Sequence, residues 1–238
     1  MAKTFAIRKR GKSFLIFILA AFWLAFILFP YLWMFITSIK PSVELYTSPI
    51  RYLPSSPTFE GYRLLFDATE FPRYLLNSFI VTFSTIILSG SVAVCAAYAF
   101  SRFEFRGKNR LFPVFLISQM FPAILLVLSL FFIMKEIGVL NTPIALIIAH
   151  STFALPFTIW LLTGFFNAIP RELDEAAAID GANRWQIFRM ILLPLSVPGL
   201  VASLTYVFIF SWNEFIYALT FTSDATARTL PVGVHSFM

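Results

Sequence analysis

Few side chains in this 238-residue sequence are of a type and spacing that could do chemistry, and their placing narrows what that chemistry is. His150 stands near the end of an apolar run. No carboxylate lies within the apolar runs to accompany it, so a satisfied polar side chain outweighs a proton relay. Glu214 is an acid beside Trp212 and Asn213 at the end of another apolar run. It serves there either as an interfacial anchor or as a polar group on a path across a membrane. No Gly-rich Lys loop for phosphates, no His-Glu zinc spacing and no nucleophile elbow occurs. The single Cys95 excludes a disulfide within the chain, and no metal cluster is expected. The sequence reads as a protein without a catalytic site or a cofactor of its own.

The longest polar run between apolar stretches in the second half is Glu175–Pro194, EAAAIDGANRWQIFRMILLP. Pro170 suits a helix start, and Glu172 and Asp174 suit the positive first turn. Ala176, Ala177 and Ala178 continue that helix, and Asp180-Gly181 ends it, because glycine accepts the left-handed conformation at a helix C-terminus. Asn183 followed three residues later by Gln186 has the form of a capping box, so a second helix starts there and runs towards Leu193-Pro194. A short helix, a sharp turn and a second helix are predicted.

The elements that hold these residues are apolar. Hydrophobic residues make up 59% and charged residues only 13%, against about 25% charged in soluble domains. Mean hydropathy is +0.82. The chain is therefore expected to be an all-α integral membrane protein with five visible transmembrane helices. Residues 1–12 are a basic amino terminus with Lys3, Arg8, Lys9, Arg10 and Lys12. Residues 13–39 hold the first span, which is too long for a signal-peptide core and is expected to kink at Pro30. Residues 40–73 form a Pro-containing loop with an amphipathic helix over 58–66. Residues 74–238 are the core. Its second span, about 75–100, carries Ser89, Ala93, Ala97 and Ser101 as a stripe of small residues on which another helix can pack. A third span is predicted as one helix over 111–134, with Pro113 and Pro122 inside it. A fourth covers 143–166, broken by Pro156, and a fifth 191–210, carrying Pro194 and Pro198.

The net charge of +6 does not point to nucleic acid, because the bases sit at span ends and no RNA- or DNA-binding module is visible. Two-thirds of the 18 Lys and Arg fall in the amino terminus, the 101–112 loop and the 167–190 loop. The positive-inside rule makes that side cytoplasmic.

Glu175-Ala176-Ala177, Gly181 four residues on, Ile191 and Leu193-Pro194 together resemble the EAA motif of binding-protein-dependent ABC transporter permeases. Trp212-Asn213-Glu214-Phe215 and Thr229-Leu230-Pro231-Val232-Gly233 resemble the carbohydrate-uptake branch, in particular the smaller permease of maltose-type systems. The resemblance covers roughly residues 25–238. It implies a permease subunit translocating a sugar or sugar derivative by alternating access. The 167–190 loop becomes a cytoplasmic coupling loop, with Glu175, Ala176, Ala177, Asp180, Gly181, Leu193 and Pro194 as coupling residues. Trp212, Asn213 and Glu214 would lie near the translocation path or its outer gate. The implied partners are ATP-binding subunits that hold ATP and Mg, a second homologous permease, a substrate-binding protein over the 40–73 loop, and membrane lipid. Relatives place a sixth span after Gly233, so a truncated record is expected. The alternative is a polytopic secondary transporter or channel subunit not powered by ATP. It would need ion-coupling polar residues at mid-membrane and repeated halves, and neither is visible.

Overall fold

A computed structural model describes residues 2–237, with side chains from Ile16 onward, and the described residues form helices and no strand. The chain divides into two compact units between Thr69 and Glu70. The basic side chains from Lys3 to Lys12 lie outside the described set.

In the first unit, α1 (Ala2–Ser38) contains Ile16–Ser38, long and apolar enough to cross a membrane. From Ile16 to Phe35 its Phe, Leu and Ile side chains are exposed, as suits a helix facing lipid or another subunit. The kink predicted at Pro30 does not break it: α1 continues through that residue as one helix. In a hydrocarbon setting, backbone groups released by a break find no water, which favours keeping the helix. Beyond α1, Glu44 gathers the loop. Its carboxylate accepts the Ser55 hydroxyl and backbone N–H (3.1 Å for the latter) and lies 3.6 Å from Arg51. These bonds hold its pKa below the usual carboxylate value. The amphipathic helix appears as α2 (Glu60–Ala68), two residues later than predicted, with Phe59 exposed just before it and Tyr62 exposed within it.

The second unit is built on α3 (Phe71–Arg102) and α6 (Pro143–Ala168), packed side by side, with α10 (Val197–Asn213) against both. Small residues explain the close fit. Ser89, Ala93, Ala97 and Ser101 of α3 are all fully buried, and α10 contributes Gly199, Ser203 and Ser211. A Cβ at Gly199 would collide with the Phe165 ring of α6, so that position needs the missing side chain. Two apolar clusters mark the ends of the unit. One gathers Phe100, Leu162, Phe166, Ile187, Phe188 and Leu192; the other gathers Val81, Met134, Leu146, Tyr217, Phe221 and Val232.

The predicted third span is two helices, α4 (Lys108–Ser118) and α5 (Ala123–Glu136), bent by 100° across Gln119–Pro122. Pro122 has no N–H to continue the ladder and forces the preceding residue out of helical geometry. Conversely, α6 is not broken by Pro156. It packs against both α3 and α10 and runs on through Pro156 as one helix. The predicted fifth span, 191–210, falls on a bent pair of segments. A segment over Arg184–Leu195, which holds Pro194, turns by 73° into α10 at Ser196. Among the described residues three helices are long and apolar enough to cross a membrane, or up to five if each bent pair counts as one span.

Candidate functional site

The polar run folds largely by local bonds. α7 (Glu172–Ile179) follows Pro170 and has Glu172, Asp174 and Glu175 in its first turn. At its end the Ala182 N–H donates to the Ala177 carbonyl (2.9 Å) and the Gly181 N–H to that of Ala178 (3.1 Å). With Gly181 at φ +87°, this is a Schellman ending. Asn183 and Gln186 then form both bonds of a capping box, at 3.0 and 2.7 Å, and α8 (Arg184–Ile187) begins. A π-helical turn over Phe188–Leu192 widens the chain just before Pro194, whose ring removes a donor, and α9 (Leu193–Leu195) ends the segment.

The faces of α7 are unequal. Ala177 turns inward and, with Ala182 and Leu193, packs on the cluster around Phe166 and Phe188. Glu175, Ala176 and Asp180 are exposed, and Ile179 is 87% exposed, unusually bare for an isoleucine. Pro194 is exposed as well.

Sequence reasoning counted Arg102 only as one of the orienting charges, and the structure gives it more. The last residue of α3, it is almost fully buried, and its Nε lies 2.6 Å from Asp174 Oδ2. Its Nη1 donates to the Phe166 carbonyl (2.9 Å) and its Nη2 to that of Ile169 (3.0 Å). Arg171 donates from Nη2 to the Ser101 carbonyl (2.9 Å). The signal lay in position: Arg102 directly follows Ser101, the last member of the buried small-residue stripe. Beside these groups a pocket of about 350 Å³ is lined by Tyr98, Arg102, Arg171, Asp174, Glu175 and Arg184, among others.

At the other end of the unit, His150 does have an acid partner, contrary to the sequence reading. Its Nε2 lies 3.3 Å from Glu214 Oε2, and its Nδ1 is 2.8 Å from the Ser211 hydroxyl. Glu214 stands just past α10 in sequence, yet its carboxylate folds back because it caps α11 (Ile216–Phe221). Oε1 accepts the Tyr217 N–H (2.9 Å) and Oε2 the Ala218 N–H (3.1 Å). Trp212 and Asn213 are not brought together. Trp212 stacks on Phe208 and meets Phe79 edge-on, whereas Asn213 and Glu214 line a groove of about 520 Å³ with Tyr206, Phe210 and Phe215. Nearby, Asn77 donates to the carbonyls of Ala225, Thr226 and Arg228, and Ser78 accepts the Leu230 N–H at the start of α12 (Leu230–His235). Among the described residues no group of three His, Cys, Asp or Glu converges as a metal site would require.

Residues 89–236 match the family described as the binding-protein-dependent transport system inner membrane component. The chain belongs to that family. This permease is 40% identical to the trehalose transport system permease protein SugB of Mycobacterium tuberculosis, over 88% of this chain and 76% of the relative. It is 42% identical to the trehalose/maltose transport system permease protein MalG of Thermococcus litoralis, with the same coverage. In fold it is similar to a chain of a bacterial ABC transporter involved in the import of the acidic polysaccharide alginate. The TM-score is 0.79 at 24% identity, over 95% of this permease and 79% of that chain. It is a multi-pass membrane protein and a permease component of an ABC importer.

Proposed function

We propose that this permease imports a sugar or sugar derivative delivered by an extracytoplasmic substrate-binding protein. ATP and Mg are held by separate ATPase subunits, and a second homologous permease completes the path. The observation that carries this reading is the 40–42% identity, across 88% of the chain, to permeases named for trehalose and maltose transport.

The loop from 167 to 190 then faces the cytoplasm, as the distribution of Lys and Arg argues, and the amino terminus lies on the same side. α7 is the coupling helix. Glu175 offers a charge to a basic or N–H partner on the ATPase, Ala176 permits close approach, and Ile179 supplies an apolar anchor. Asp180 and Gly181 set the corner, and Leu193 and Pro194 end the segment where it turns into α10. Closure of the ATPase dimer displaces α7 and shifts the spans between inward-open and outward-open arrangements. The groove along Tyr206, Phe210 and Asn213 lies on the path, and the Glu214-capped α11 lies at its outer end.

The test is made on the assembled complex. Gly181→Val places a β-branched residue at φ +87°, at a cost of about 1–2 kcal/mol, and opens the corner. Glu175→Lys reverses the exposed charge. Both variants are expected to insert normally, to abolish uptake, and to lose the ATPase subunits or their response to the binding protein. Retention of the bound ATPase and of full uptake in both variants overturns the reading.

A further inference from the structure

We infer that Arg102 is the positioning residue that fastens the coupling helix to the membrane bundle, so that displacement of α7 is delivered to α3 and α6. This rests on reading α7 as the coupling helix.

The geometry joins three elements through one guanidinium. Arg102 belongs to α3. Two of its nitrogens hold the carbonyls of Phe166, in the last turn of α6, and Ile169, which follows it. The Phe166 carbonyl accepts only the long bond from the Ile169 N–H (3.3 Å), and both carbonyls lie at the negative end of the α6 dipole, so a cation is the fitting partner. The third nitrogen, Nε, meets Asp174 in the first turn of α7, the positive end of that helix, where a carboxylate belongs. Both charges therefore sit where the helix dipoles favour them. The planar fork holds both carbonyls by hydrogen bonds while Nε stays in ion contact with Asp174, an arrangement that a lysine ammonium on a flexible stem does not reproduce.

The acids of α7 are not equivalent. Glu172 and Glu175 are exposed, and Asp174 alone of the three turns inward. A second tie runs the other way, from Arg171, just before α7, to the Ser101 carbonyl at the end of α3. The amino-terminal end of α7 is thus bound to the bundle by two arginines. Its carboxyl-terminal half touches the bundle through the small side chain of Ala177 and leads through Gly181 to α8, with no charged tie of this kind among the described residues. A load applied to α7 has its stiffest connection through Arg102, into α3 and α6.

Hydrogen exchange on the assembled complex reads this transmission directly. ATPase subunits blocked in hydrolysis are compared nucleotide-free and closed by MgATP. In the parent, MgATP is expected to change exchange in α7 and in the ends of α3 and α6 that meet it. In Asp174→Asn and Arg102→Lys the change in α7 persists, and the change in α3 and α6 shrinks about fivefold or more. The double variant is no worse than the more affected single one, because both remove the same link. Asp174→Glu, which keeps the charge, recovers part of the transmitted change. A merely structural role would lower the yield of assembled complex and leave the transmitted change per complex intact. Should Arg102→Lys fail to assemble, Asp174→Asn carries the test, since its residue lies outside the spans. Transmission to α3 and α6 at parental strength in Asp174→Asn overturns the inference, as does a parent in which only α7 responds. No response in α7 of the parent would instead remove the coupling-helix reading itself.

Discussion

Replacing Glu214 by Gln removes one charge and little volume, and the structure sets its cost. The carboxylate accepts two backbone N–H groups, from Tyr217 and Ala218, and lies 3.3 Å from His150 Nε2. A glutamine oxygen can serve only part of that set, and its NH2 group turns a donor towards another donor. Hydrogen bonds to charged groups contribute about 1.5–3 kcal/mol, so losing one of them weakens the start of α11 by about 2 kcal/mol. Local opening of Tyr217–Phe221 then becomes about 30-fold more frequent, and amide exchange there speeds up by the same factor. The rest of the core, held by the α3, α6 and α10 packing, is expected to exchange at its old rate. Mass-spectrometric hydrogen exchange on the detergent-solubilised complex measures both. A change below about threefold in α11 would refute the view that Glu214 is the cap holding this end closed. Faster exchange in α11 with unaltered uptake would keep the cap and remove the gate.

Ala97→Leu forces a large side chain into a fully buried position and is expected to cost about 1–3 kcal/mol. A lowered yield of assembled permease on size-exclusion chromatography checks it; a normal yield would mean the stripe is not a packing surface. Ile179→Asp removes the bare apolar anchor on α7 and is expected to weaken ATPase capture by about tenfold, or roughly 1.4 kcal/mol, without altering the melting of the bundle. Unchanged capture would place the docking face elsewhere on α7. In a Cys95→Ser background, single cysteines at Lys108 and Asn183 are expected to react only from the cytoplasmic side, and those at Ser55 and Asp224 only from outside. Labelling of Asn183→Cys by an impermeant reagent in intact cells would invert the topology.

The loop around Gly181 could be read from sequence because its bonds join residues at most five apart. The positive φ of Gly181 and the reciprocal Asn183–Gln186 bonds are written in neighbouring letters. The pairs Arg102–Asp174 and His150–Glu214 are not, since each partner is brought in by a different helix. Glu214 lies past the apolar runs, so the sequence offers His150 no carboxylate within them; the chain leaving α10 turns back to cap α11 and brings the acid to it. The prolines teach a related lesson. Pro30 and Pro156 lie within continuous helices, whereas Pro122 begins a new one after a 100° bend. The same missing N–H is present in all three, so the outcome is decided by what surrounds the helix rather than by the residue.

The corner between α7 and α8 closes its own hydrogen bonds, through the Schellman ending on one side and the capping box on the other. Its shape therefore does not wait for another chain to complete it. A partner meeting this corner finds the backbone already ordered, so association is spared the entropy of freezing a loop. Encounter then has the rate of two rigid surfaces finding their orientation, and differences in affinity among variants of the corner are expected in how long the complex lasts rather than in how fast it forms.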